Sequence, residues 1–233
     1  MPEVIINGAE GRLEGRYTLA KGERRPIVLL LHPHPQHGGT MHNKIVYALN
    51  QIFVRQGFCT LRFNFRGVGR SQGSFGRGEG ELTDAASALD WLQSYNPNAG
   101  QCWIAGFSFG AWIGMQLLMR RPEIDRFISV APPANIYDFG FLAPCPSSGL
   151  IVQGDKDDVV PEESVKKLAE KLGKQRDIEV DYRVIKGANH FFTDRMDKLD
   201  TVVEEYVETA MAPAPPAKPV KPATREKEKT AAK

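Results

Sequence analysis

Cys102-Trp103-Ile104-Ala105-Gly106-Phe107-Ser108-Phe109-Gly110-Ala111-Trp112-Ile113-Gly114-Met115 decides how this chain is read. An apolar run of strand length meets Gly-x-Ser-x-Gly, and apolar residues at helical spacing follow, from Phe109 to about Met119 and ending before Pro122. The chain must turn from strand to helix within a few residues. Such a turn strains the residue at its apex, needs small residues on either side, and lifts the serine oxygen clear of the sheet edge. The helix that starts there turns its positive end toward any oxyanion formed at that serine.

The same alternation extends in both directions. Upstream, Ile27–Leu31 is a continuous apolar run, the pattern of a strand buried on both faces. Residues 44–56 carry Ile45, Val46, Leu49, Ile52 and Phe53 at helical spacing, 58–63 read as a strand, and 81–92 as a helix. Downstream, strands are expected at 127–130, 150–152 and 180–185, with helices at 162–172 and about 199–207; Pro161 suits the first turn of the former. Two β-rich stretches near 4–7 and 13–19 form an antiparallel lead-in. Eight strands alternating with helices predict an α/β fold, a mostly parallel eight-stranded sheet with helices on both faces and its function in loops at the carboxyl ends of the strands.

The chain has 233 residues, 42% of them apolar and 25% charged, enough for one full hydrophobic core. From Ala212 onward Pro, Ala and Lys dominate and apolar periodicity ends. That composition predicts a disordered tail at 212–233 behind a catalytic domain at 1–211. The tail holds six basic and two acidic residues, net +4, so the formal +2 of the whole leaves −2 for the body. The basic pI therefore belongs to the tail, and no nucleic-acid partner is expected for the domain. The tail reads as a solubilising appendage, with weak contact to acidic partners such as nucleic acid or anionic lipid as the alternative. Cys59, Cys102 and Cys145 are odd in number and lack C-x-x-C spacing, which suits reduced thiols; with no signal-peptide pattern and no apolar run of spanning length, the expected location is the cytoplasm, away from membranes.

A nucleophilic serine needs a base and a group to orient that base. Five histidines are available: His32, His34, His37 and His42 in one cluster, and His190 in Gly187-Ala188-Asn189-His190 after the 180–185 strand. Three aspartates, Asp155, Asp157 and Asp158, follow the 150–152 strand, in a loop that begins at Gln153. Asp155 can bond its own turn and Asp158 can pair with a surface lysine. The histidine cluster also suggests a metal, but its loop contains no Asp, Glu or Cys and a serine triad needs no ion, so neither metal nor cofactor is expected.

Taken together, these residues resemble the α/β-hydrolase superfamily over roughly 1–210. Asn64-Phe65-Arg66-Gly67-Val68-Gly69-Arg70-Ser71-Gln72-Gly73 is similar to the D-x-R-G-x-G-x-S-x-G turn after the fourth strand, with Asn64 in the usual Asp position. Gly154-x-x-Asp157-x-x-Val160-Pro161 resembles the superfamily's acid loop, and Leu31-His32-Pro33-His34-Pro35 that of a small lidless group of bacterial hydrolases. The resemblance implies a Ser…Asp…His order, hence Ser108, Asp157 and His190 as catalytic triad. It implies one oxyanion donor at the Phe109 amide and one in the loop after the third strand. There Pro33 and Pro35 have no N–H, which leaves the His34 amide held between them.

Residues 131–148 are too few for the helical lid that many relatives insert, which implies an open site for small soluble ester or thioester substrates. Tyr137, Phe139, Phe141 and Leu142 are expected to wall that site or to pack in the core. A serine peptidase or amidase using the same triad, and a non-catalytic scaffold, are the competing functions. A homodimer is compatible with all of them.

Overall fold

The uninterrupted apolar runs lie in the interior of one sheet: β3 (Ile27–Leu31), β4 (Cys59–Phe63) and β5 (Cys102–Phe107) are buried along their whole length. The computed structural model describes residues 2–22 and 24–212. Around those strands the chain runs β1 (Glu3–Gly8), β2 (Gly11–Thr18), β3, α1 (Lys44–Arg55), β4, α2 (Glu79–Ser94), β5, α3 (Phe109–Leu118), β6 (Arg126–Val130), β7 (Ser148–Gly154), α4 (Glu162–Gly173), β8 (Val180–Ile185) and α5 (Met196–Met211). The eight strands pair in the order β1-β2-β4-β3-β5-β6-β7-β8. β2 runs antiparallel to β1 and β4, and every other pair is parallel. The expected tail lies outside the described residues, Ala212 excepted.

Alternate strand residues feed two cores. Ile27, Leu29, Leu31, Cys102 and Ile104 pack against α2, α3 and α4, whereas Val28, Leu30, Trp103, Ala105 and Phe107 pack against α1 and α5. All three cysteines are buried and unpaired. Among the described residues no helix is long and apolar enough to cross a membrane.

The differences from the sequence reading are local. β7 continues past Val152 because Gln153 and Gly154 pair with Val184 and Ile185, so Gln153 belongs to the strand and not to the acid loop. Pro161 stands at the N-cap of α4, one residue before its first turn. Residues 131–147 contain neither helix nor strand. Phe139 and Leu142 of that segment enter the core, while Tyr137 and Phe141 stay partly exposed at its border.

Candidate active site

Ser108 stands between β5 and α3 with φ 52° and ψ −120°. A non-glycine residue there is strained by about 1–3 kcal/mol and persists only where its surroundings over-determine it. Its amide donates to the Val130 carbonyl at 2.9 Å, which ties the turn to β6. The flanking glycines are demanded by backbone approach. A Cβ on Gly106 would strike the Gly110 carbonyl, and one on Gly110 would strike the carbonyls of Leu31 and His32.

His190 and Asp157 come to this serine from the loops after β8 and β7. His190 Nε2 lies 3.1 Å from Ser108 Oγ, and Nδ1 lies 2.8 Å from Asp157 Oδ2. The Asp157 carboxylate is fully engaged. Oδ1 accepts from the amides of Val159 (2.9 Å) and Val160 (2.7 Å), and Oδ2 also accepts from Gln153 Nε2 at 3.0 Å. Burial alone would raise its pKa, but the bonds from His190 and the two amides outweigh burial and hold the carboxyl below the usual range. The competing aspartates point elsewhere. Asp155 accepts the Gly187 amide, pinning the base loop to the acid loop, and Asp158 is exposed.

The amides of His34 and Phe109 donate no hydrogen bond to any other group among the described residues. The His34 loop is held from behind. His32 is fully buried directly after β3; its Nε2 accepts from the Phe65 amide at 3.0 Å, so Nδ1 carries the proton and donates to the Pro33 carbonyl at 2.6 Å. Burial, with a smaller contribution from His34, pushes its pKa down to about 3 against that bond, so the ring is neutral at any working pH. In a trans peptide the C=O and N–H point in opposite directions. Fixing the Pro33 carbonyl therefore fixes the aim of the His34 N–H. Gly39 closes on the same peptide, for a Cβ there would meet the Pro33 carbonyl. His34 has φ −53°, and its own Nδ1 accepts the Gln36 amide at 3.2 Å, capping a short 3-10 turn at Pro35–His37. The His34 and His37 rings lie 4.6 Å apart, and among the described residues no group of three His, Cys, Asp or Glu is placed to hold a metal ion.

Asn64 also has a reason to depart from the familiar Asp. Its Oδ1 accepts the Met41 amide while its Nδ2 donates to Glu14 Oε2 at 2.9 Å, and a carboxylate cannot make the second bond. Arg66 grips Asp84 through two nitrogens, at 2.8 and 2.9 Å, and so anchors the 64–78 loop to α2. Of the residues that position the site, Gln153 and Gly39 carry no motif, and the motif that contains His32 does not reveal what its ring holds. A polar residue at the end of a fully apolar strand was a further signal for His32.

Known proteins resemble this chain over most of its length. A family model described as X-Pro dipeptidyl-peptidase (S15 family) matches residues 18–214. An uncharacterized protein of Rickettsia prowazekii is 52% identical over 213 residues, 90% of each chain. A crystal structure of a protein of unknown function from Agrobacterium tumefaciens superposes with a TM-score of 0.88 at 60% identity, covering 90% of this chain and 96% of that one. A Xanthomonas campestris protein described as an α/β serine hydrolase without a lid has a TM-score of 0.82 at 29% identity, covering 92% and 96%.

Proposed function

The chain belongs to the S15 family of X-Pro dipeptidyl-peptidases, and from that membership and the site geometry we propose a serine hydrolase that cleaves ester or thioester bonds of small soluble acyl substrates. The observation that carries the reading is the unbroken hydrogen-bonded line Asp157–His190–Ser108 beside two uncommitted amides. Ser108 Oγ attacks the acyl carbonyl as His190 Nε2 takes its proton. The carbonyl oxygen becomes an oxyanion held by the amides of His34 and Phe109, worth about 2.7–4 kcal/mol per donor. The C–O or C–S bond then breaks, and His190 returns the proton to the leaving atom. Water, deprotonated by His190, attacks the acyl-enzyme, and the acid and Ser108 are released. Asp157 keeps the imidazole in the tautomer with hydrogen on Nδ1 and stabilises its cation.

The family name favours a second reading, cleavage of X-Pro peptides. A dipeptidyl-peptidase must hold a free N-terminal ammonium near the nucleophile, which calls for an uncommitted carboxylate. Glu81 spends both oxygens on the amides of Gly76 and Gly78, and Asp157 is fully engaged. Asp138, exposed and bonded through Oδ1 to the Gly140 amide, keeps its second oxygen uncommitted among the described residues, as does the exposed Asp158. We therefore place ester cleavage first. Three buried thiols suit a reducing compartment, and the cytoplasm is the location we propose. Turnover of p-nitrophenyl acyl esters and acyl thioesters, set against alanyl-prolyl p-nitroanilide, tests the assignment. We expect the esters to be cleaved at least a hundredfold faster. Preferential release of p-nitroaniline, abolished by Asp138→Asn, would establish the peptidase instead.

A further inference from the structure

Both residues whose amides flank Ser108 carry rings, and those rings continue into an aromatic surface. His34 and Phe109 lie 4.9 Å apart; Phe75 lies 4.9 Å from His34 and 6.1 Å from Phe109. Trp112, one helical turn beyond Ser108, stands 5.6 Å from Phe109 and stacks on Tyr137 at 4.2 Å with an interplanar angle of 17°. Phe75, Trp112 and Tyr137 all retain partial exposure, and no helix of residues 131–147 covers them. The surface is held from behind. The Trp112 indole N–H donates to the Asp138 carbonyl at 3.2 Å, and a Cβ on Gly78 would meet the six-membered ring. The Glu81 carboxylate, wholly buried, holds the Gly78 amide on which that ring packs. A buried carboxylate behind an apolar wall disfavours an anionic group on the wall.

The catalytic line sets which end of a substrate meets this wall. His190 must protonate the leaving atom, so the leaving group lies on the side of His190 and of Phe191, whose ring is 5.2 Å from the imidazole and largely exposed. The acyl group extends to the other side. We propose that Phe75, Trp112 and Tyr137 form the acyl subsite and select an uncharged, flat acyl group, aryl or cyclic, over a short aliphatic one. This deepens the ester-hydrolase reading and rests on it. Flat rings gain contact area and favourable ring–ring geometry on a prearranged aromatic face, while an acetyl group reaches little of it.

The test holds the leaving group constant. p-Nitrophenyl acetate, butyrate and benzoate are assayed, and each kcat/KM is divided by the ester's alkaline hydrolysis rate. Wild type is expected to favour benzoate over acetate by about tenfold or more, an increment of the size one aromatic contact supplies. Trp112→Ala and, separately, Tyr137→Ala lower the benzoate value about tenfold and the acetate value less than threefold; Trp112→Phe restores most of the loss. Stoichiometric fluorophosphonate labelling of Ser108 in each variant shows that the fold and triad are intact, and if one alanine variant does not fold the other decides. Equal losses on both esters, or no benzoate preference in wild type, would overturn the subsite while leaving the hydrolase standing. Absence of both ester turnover and Ser108 labelling in wild type would instead remove the hydrolase reading.

Discussion

The two halves of the site are held in place by different means. The nucleophile side, made of the loop after β3 and the turn after β5, is positioned mainly by backbone, with the His32 ring behind the first loop. Ser108 sits at φ 52°, and Gly106, Gly110 and Gly39 stand where a Cβ would strike a carbonyl. The acid–base side, made of the loops after β7 and β8, is positioned by side chains: Gln153 on Asp157, Asp157 on His190, and Asp155 on the Gly187 amide. Backbone placement tolerates few residue types and so writes a motif. Side-chain placement can be supplied by many residues from many positions, and the support that Gln153 and Asp155 give leaves no pattern to read.

The largest effect that would sharpen this contrast is on the side-chain half. Asp157→Asn keeps the shape but favours the wrong imidazole tautomer, and is expected to lower kcat by about 10⁴-fold. Asp158→Asn, at an exposed position, should change kcat by less than twofold. Steady-state ester kinetics on the two variants compares them, and similar losses would undo the assignment of Asp157.

The backbone half makes the next prediction. His34 already has φ −53°, which proline adopts without strain. His34→Pro therefore deletes one N–H and little else of the backbone, and kcat should fall by about 10²–10³-fold. His34→Ala retains the amide and should stay within about fivefold of wild type on acetate esters. If the alanine variant loses as much as the proline variant, the ring and not the amide is the working part.

Gln153 probes the support beneath the acid. Gln153→Leu withdraws a donor from Asp157 and orphans the Val160 carbonyl, which Gln153 reaches at 2.8 Å. We expect a loss of about 1–3 kcal/mol in urea unfolding, and an unchanged midpoint would show that the bond contributes nothing.

His32 gives the most gradual effect. Its folded pKa is pushed down to about 3 by burial, whereas an unfolded histidine titrates near its ordinary value of about 6.5. As pH falls below that value the unfolded chain takes up a proton that the folded chain refuses. His32 therefore contributes a loss of stability of up to about 1.4 kcal/mol per pH unit on acidification toward its folded pKa, and none above neutrality. His32→Asn should flatten the curve of unfolding free energy against pH between about 6 and 4. A slope identical to that of wild type would mean that His32 already carries a proton in the fold.

The same division explains what the sequence made legible. The apolar runs at 27–31 and 102–105 announced central strands because burial on both faces excludes polar residues, and Gly106-x-Ser108-x-Gly110 announced the turn because two carbonyls exclude a Cβ. Choosing Asp157 over Asp155 and Asp158 needed the superfamily's acid loop, since all three are ordinary loop aspartates until His190 arrives from 33 residues away. Gln153 was read as loop because its strand pairing depends on Val184, a partner that local periodicity does not reveal. His32 is one of four clustered histidines in the sequence; its grip on the Pro33 carbonyl depends on burial and on the Phe65 amide.

Whether Ser108 is an activated nucleophile is decided by its reaction with a fluorophosphonate probe. The purified full-length protein is reacted with the probe, digested, and the adduct located by peptide mass spectrometry. One adduct is expected, on Ser108, absent in Ser108→Ala and formed at least a hundredfold more slowly in His190→Ala. A folded wild-type protein that stays unlabelled, or a label on another residue, would contradict it.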